Sequence, residues 1–243
     1  MIELFGLTKN YNGFQAVEGL NLQVAQGEIF GFIGPNGAGK TTTIKMITGL
    51  LKPSAGRVCI CGLDMAVNPE GAKGRIGFIP DRPYLYEKLT GQEFLMFCAD
   101  LHSIPAEIAE PRTVALLDKF SLRAWGDELI ESYSHGMKQR LIIAAALLHE
   151  PQVIVVDEPM VGLDPAGIRL VKELFREKAR GGVTLFISTH ILEIAEGLCD
   201  RIGVIHQGRL IALGTAAQLR EKAELREGDL EEVFLHLTGR ELS

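Results

Sequence analysis

Glu28-Ile29-Phe30-Gly31-Phe32-Ile33-Gly34-Pro35-Asn36-Gly37-Ala38-Gly39-Lys40-Thr41-Thr42 decides the fold. Its first half is an apolar run of strand length, and its second half fits the pattern G-x-x-x-x-G-K-[ST] from Gly34 to Thr41. Lys40–Leu50 then reads as a helix stopped by Pro53. A strand running through a glycine-rich turn into a helix cradles phosphate. The glycines let successive N–H groups turn inward, and the helix start adds its positive end. Asn36, Gly37, Ala38 and Gly39 supply the loop, and Lys40 reaches toward the β- and γ-phosphates. The Thr41 hydroxyl suits Mg²⁺, and Thr42 the α-phosphate. The pattern predicts nucleoside triphosphate binding.

Such a loop needs a carboxylate at the end of a neighbouring buried strand. Val153-Ile154-Val155-Val156-Asp157-Glu158-Pro159 supplies four apolar residues and then two acids. Asp157 is the expected Mg²⁺ group, directly or through water. Glu158 is placed to polarise a water for attack on the γ-phosphate.

Around these motifs the chain alternates strands and helices. Ile2 to Val24, with its Asn12-Gly13 turn, reads as antiparallel strands. Arg57–Cys61, Arg75–Ile79, Val153–Val156 and Val183–Ser188 read as strands, Ala166–Arg180 and Ile191–Cys199 as helices. Ile202–His206 and Arg209–Ala212 read as a hairpin. From about Leu89 to Leu148 apolar residues recur at helical spacing, which predicts an inserted helical subdomain. Ala216–Leu237 reads as a charged amphipathic helical tail interrupted at Gly228-Asp229. The expected fold is α/β: a phosphate-loop NTPase core with a mainly parallel sheet, an N-terminal antiparallel β subdomain and the helical insertion. The expected division is an ATPase domain over 1–214 and a tail over 215–243.

Composition narrows the function. The 243 residues carry 25 Lys+Arg against 31 Asp+Glu, a net charge of −6, so broad nucleic-acid binding is not expected. The longest purely apolar run, Leu141–Leu148, is far short of the roughly 18 residues that cross a bilayer. Met1-Ile2-Glu3-Leu4 does not begin a secretory signal. Cys59, Cys61, Cys98 and Cys199 form no disulfide ladder. Cys59 and Cys61 are expected on one face of a strand, all four as small buried hydrophobes of a cytosolic chain.

Further motifs separate this chain from other phosphate-loop proteins. Tyr133-Ser134-His135-Gly136-Met137-Lys138-Gln139-Arg140 precedes the acidic strand, Gly162-Leu163-Asp164-Pro165 follows it, and Ser188-Thr189-His190 ends the next strand. This order resembles the nucleotide-binding subunit of the ATP-binding cassette (ABC) transporter family over nearly the whole chain. The resemblance implies ATP and Mg²⁺. It implies a dimer in which Ser134 and Gly136 bind the γ-phosphate of ATP held by the other subunit, with Asp164 as the cross-dimer aspartate. It gives His190 the switch role on the γ-phosphate, and Tyr11 the stacking of adenine.

Four departures from the family pattern stand out. Tyr133, His135 and Met137 replace the Leu, first Gly and Gln of the usual signature. Where the family has a Gln near Mg²⁺ and the attacking water, this chain has Asp81, able to ligate Mg²⁺ but shorter and charged. The Tyr133–Arg140 wording, Asp81 and the tail segment Leu230-Glu231-Glu232-Val233-Phe234 resemble the branch that powers exporters of drugs, lipids or polysaccharides. The implied partners are a multi-span permease on a separate chain and a second nucleotide-binding subunit, with the protein peripheral on the cytoplasmic face of the membrane. The alternative is a soluble ABC ATPase of translation or DNA repair. Pro83, Tyr84, Leu85 and Tyr86, in the loop from Asp81 to Leu89, suit a partner-binding groove.

Overall fold

The structure is a computed structural model, and it describes residues 1–82, 84–158, 160, 162–223, 225 and 230–239. β1 (Ile2–Tyr11) and β2 (Phe14–Val24) form the first hairpin. β3 (Ile29–Ile33) leads into α1 (Lys40–Ile47), followed by β4 (Ala55–Ile60), β5 (Leu63–Asp64), α2 (Pro69–Lys73) and β6 (Ile76–Ile79). α3 (Gly91–Leu101), α4 (Ala106–Lys119), two single-turn 3₁₀ helices and α5 (His135–Leu147) make the helical stretch. β7 (Val153–Asp157), α6 (Pro165–Arg180), β8 (Thr184–Thr189), α7 (Leu192–Leu198), β9 (Arg201–His206), β10 (Arg209–Gly214), α8 (Ala216–Lys222) and α9 (Leu230–Thr238) complete it.

Two sheets result. The antiparallel one has the order β2-β1-β4-β5. The other runs β10-β9-β3-β8-β7-β6, parallel throughout except for the β9–β10 hairpin. β3, β7 and β8 are buried at every residue, which is why they read as continuous apolar runs rather than alternating ones. Their two faces nonetheless part by the strand period of two. Ile154, Val156, Leu185 and Ile187 face the core shared with α3–α6. Val153, Val155 and Phe186 face the core shared with α1 and the antiparallel sheet. Phe30 and Phe32 clasp Phe186 on that second side, with ring centroids 5.5 and 5.3 Å away.

Two local expectations are corrected. α1 ends at Ile47, not Leu50, and Gly49 with its φ of +68° stops it before Pro53 is reached. Cys61 does not share a strand face with Cys59: β4 ends at Ile60 and Cys61 turns the chain at φ +50°. The four cysteines are half-buried and unpaired. The tail packs back onto the fold, with Leu219, Ala223, Leu230 and Val233 sharing a core with Ile33, Ile202 and Val204. The expected break at Gly228-Asp229 lies outside the described residues, as do Pro83 and Pro159.

Candidate active site

The strand register sets the site. Ile33 pairs with Thr189, and Asp157 with Ser188, so β3, β8 and β7 end at one level. The loops leaving these carboxyl ends converge, the place where open α/β sheets hold ligands. A cleft of about 520 Å³ opens there, lined by Tyr11, Asn36, Gly37, Gly39, Lys40, Thr41, Thr42, Asp81, Asp157, Glu158 and His190, with Phe14, Ala16 and Pro35.

α1 begins without a side-chain cap and without an acid in its first turn, whereas Asp164 caps α6 and Thr90 caps α3. Its N-cap is Gly39 at φ +109°, where an added Cβ would stand 2.5 Å from the carbonyl oxygen of Ala16. Only glycine lets the loop come this close to β2. Uncapped N–H groups and the helix dipole therefore face the cleft. Lys40 is buried and donates from Nζ to the carbonyls of Gly34 (2.6 Å) and Pro35 (3.3 Å). Burial lowers its pKa, while Glu158 and Asp157 push it back up. A cation with so little water suits an anionic ligand. Ala38 differs from its loop neighbours: its methyl is in the core and its N–H donates to Pro35 at 3.1 Å, so its side chain lines nothing.

Asp157 is buried and fixed on both oxygens, accepting from Ser188 Oγ at 2.5 Å and from Thr41 Oγ1 at 3.1 Å. A hydroxyl and a carboxylate in contact beside a phosphate loop fit Mg²⁺, whose other ligands would be phosphate oxygens and water. Among the described residues no group of three or more His, Cys, Asp or Glu is arranged to hold a metal without them. Asp81 is exposed at the lip of this cleft.

Glu158 stands apart from ordinary loop acids. It takes φ +53°, a left-handed conformation costly for a residue with a Cβ, and only 13% of its side chain is exposed. Its N–H donates to Ser188 O at 3.0 Å. Oε1 meets His190 Nδ1 at 2.9 Å, and Oε2 accepts from Thr189 Oγ1 at 3.3 Å and His190 N at 3.4 Å. The end of β8 thus holds the carboxylate in the cleft. Thr189 and Ser188 act through this register, which sequence reading had not assigned.

The structure keeps Ser134, Gly136 and Asp164 out of this cleft. Ser134 caps α5 through Met137 N (3.2 Å), and Asp164 caps α6 through Gly167 N (2.9 Å). Both are exposed, and the two loops meet each other at His135 and Gly162. Phe14 is the aromatic lining residue that sequence reading missed. It pairs directly with Tyr11 across the Asn12-Gly13 turn, and the two rings are 65% and 42% exposed. The two-residue turn signal was enough to place them side by side.

A sequence profile described as ABC transporter matches residues 17–161, which spans the phosphate loop, the Tyr133–Arg140 segment and the Asp157-Glu158 pair. The chain belongs to the ABC transporter family. This ABC ATP-binding subunit is 41% identical over 238 residues to the daunorubicin resistance ATP-binding protein DrrA3 of Streptomyces coeruleorubidus, covering 98% of this chain and 74% of that one. It superposes on a solved ATP-binding subunit of an ABC transporter with TM-score 0.92 and 37% identity, over 98% of this chain and 99% of that chain. A dimeric ATP-binding cassette in a post-hydrolysis state with ADP and Pi matches with TM-score 0.79 and 26% identity, over 88% of this chain and 98% of that chain. The subunit is an ATPase of the transporter kind rather than a translation or repair factor. No helix among the described residues is long and apolar enough to cross a membrane.

Proposed function

We propose that this subunit hydrolyses ATP at two sites shared between paired chains, and so drives export through a separate multi-span membrane protein. The observation that carries the reading is a division of labour. Lys40, Thr41, Asp157, Glu158 and His190 lie in one cleft, while Ser134 and Asp164, both exposed, and the half-buried Gly136 lie outside it. A second chain brought face to face would close the open side of the first cleft with its own α5 start.

In this reading Lys40 and the N–H groups opening α1 bind the β- and γ-phosphates of ATP. Tyr11 and Phe14 hold the adenine. Thr41 and Asp157 hold Mg²⁺, with Asp81 at its edge, and the ion supplies positive charge where the phosphates gain negative charge. Glu158 accepts a proton from the attacking water as its oxygen bonds to the γ-phosphorus. The bond from that phosphorus to the bridging oxygen breaks, and ADP and phosphate leave. His190 lines the cleft beside Glu158, where it would donate to the transferring group while its Nδ1 orients the carboxylate.

A groove of about 590 Å³ adjoins the nucleotide cleft, and Thr41, Asp81 and Asp157 line both. Phe78, Phe94, Ile142 and Tyr84 give it an apolar wall, and Tyr84 is 83% exposed. We assign it to the membrane partner, which puts the subunit on the cytoplasmic face of the membrane. The resistance role named for the Streptomyces relative supports export; nucleic acid is no part of this reading.

The test is complementation between inactive chains. Lys40→Ala and Ser134→Arg should each abolish turnover as homodimers. In a mixed dimer one site takes both defects and the other takes none, so mixing should restore partial ATPase. If Lys40 and Ser134 served the same chain's ATP, every site would keep one defect. Mixed dimers demonstrated by differential tags, with no recovered hydrolysis, would refute the shared site.

A further inference from the structure

The start of α5 and the loop that carries Asp164 touch at one place. His135, the first residue of α5, lays its ring edge over Gly162: a Cβ built on Gly162 would fall 2.0 Å from Cδ2 and 2.3 Å from Nε2. Gly136 opens on the same residue, where a built Cβ would stand 3.4 Å from the Gly162 carbonyl oxygen. Gly162 itself sits at φ +80°, the left-handed region that glycine enters without cost. His135 and Gly162 are both exposed, so the contact contributes little to the core. The signature pattern that this segment otherwise resembles has glycine where His135 stands, and glycine has no ring to place there.

We propose that His135 is a positioning residue, a rigid strut that ties the two shared ATP sites together through one chain; the inference rests on the shared-site reading above. Glu158, which works on the chain's own ATP, stands four residues before Gly162 in the sequence, and Asp164 two after it. Ser134 and Gly136, on either side of His135, face the ATP of the opposite chain. The ring against Gly162 therefore links the element that senses one γ-phosphate to the element that clamps the other. The His135 ring and the Gly136 backbone both abut Gly162, so a displacement of Gly162 presses on the start of α5. Hydrolysis in one site then alters the grip on ATP in the other.

The experiment is steady-state ATPase of the full chain against ATP concentration, for the wild type, His135→Ala and His135→Phe, with melting temperatures alongside. The wild type should show a Hill coefficient above 1. His135→Ala should bring it to about 1 and lower kcat by roughly tenfold, with KM held within about twofold, because positioning is lost and not nucleotide binding. His135→Phe, which fills the same space, should keep both cooperativity and kcat. A wild type without cooperativity, or His135→Ala that behaves as wild type, would overturn the proposal. So would a rise in KM at unchanged kcat, which would make His135 a nucleotide contact. His135→Phe failing as His135→Ala does, or a melting temperature falling with kcat, would also count against a strut. Failure of the shared site itself shows elsewhere, as a Glu158→Gln chain with His135 intact that forms no ATP-dependent dimer.

Discussion

Replacing Glu158 by Gln separates the chemistry of the carboxylate from its place in the structure. The carboxylate is held by Thr189 Oγ1 at 3.3 Å, His190 N at 3.4 Å and His190 Nδ1 at 2.9 Å. Gln has the same length and shape. Its carbonyl oxygen can accept from Thr189 and from the His190 N–H, and its amide can donate to a neutral Nδ1. The backbone bond from Glu158 N to Ser188 O and the Asp157 contacts to Ser188 and Thr41 are untouched. Stability should therefore change by no more than about 0.5 kcal/mol, the usual bound for a substitution that breaks no buried contact. At this chain length that is a shift of about 2 °C in melting temperature. Basicity is what disappears. Loss of a general base costs roughly 10²–10⁴-fold in rate, or about 2.7–5.5 kcal/mol of barrier. Phosphate release should fall by that factor while ATP affinity is kept, and size exclusion with ATP should show an accumulated dimer. Turnover within about tenfold of wild type would move the base elsewhere. Lost turnover accompanied by a large drop in melting temperature would show that Glu158 is structural.

Gly39→Ala should strike binding and stability together. Its Cβ would meet Ala16 O at 2.5 Å in a backbone at φ +109°, a strain of about 1–3 kcal/mol, or about 2–12 °C at this chain length. Calorimetry and ATP titration should both register it, and an unchanged melting temperature would contradict the close approach of the loop to β2. His149 predicts an acid-sensitive fold. Burial pushes its pKa down to about 4, its stacked neighbour His102 (3.8 Å between ring centroids) adds to the fall, and the contact of Nε2 with Ile76 O opposes it. The folded state prefers the neutral ring, so its contribution is full above the unfolded value of about 6.5 and is lost as pH falls from there through about 4. His149→Phe should flatten the decline of melting temperature between about pH 6.5 and 4.5, and an unchanged slope would place the sensitivity elsewhere.

The phosphate loop was legible because its chemistry demands fixed spacing, and a strand and a helix on either side of Gly34–Lys40 left one geometry to adopt. Asp157 and Glu158 were legible because two acids end a four-residue apolar run in a chain that also carries a phosphate loop; alone, such a pair is a common loop after a strand. The contact between Glu158 and His190 was not, since it depends on β7 lying beside β8 with Asp157 opposite Ser188. Pairing of strands 31 residues apart leaves no local mark. α2 and β5 also escaped, because five and two residues are too few to set up a hydrophobic period. α1 was drawn too long because Pro53 is the louder stop signal, although Gly49 ends the helix first. The meeting of His135 with Gly162 joins two loops that sequence reading had turned toward the opposite chain without bringing them together.

The same register says where movement is possible and where it is not. A slip of one residue between β7 and β8 would turn Asp157 to the opposite face of the sheet and part it from Thr41, so the contact between these two residues cannot flex by sliding strands. Asp157 and Ser188 are anchored to strands buried on both sides, and Lys40 and Thr41 to α1, whose inner face packs into the core. Asp81 is anchored to neither. It begins a loop that leaves β6, passes Tyr84 in the groove, and is fastened to the helical stretch by Glu87–Lys138 (2.5 Å) and Lys88–Glu131 (2.6 Å). Lys88 and Glu131 are both exposed, and Glu87 is more than half exposed. Exposed pairs of this kind are worth about 0–1 kcal/mol each, well below the cost of unpairing a strand. Lys138 lies one helical turn from Ser134, through the bond from Lys138 N to Ser134 O. Two such low-cost contacts therefore lie along the line from the nucleotide cleft, past the groove, to the start of α5. On the function proposed above, a shift at Asp81 reaches Ser134 through these pairs while β7 and β8 keep the register that holds Asp157.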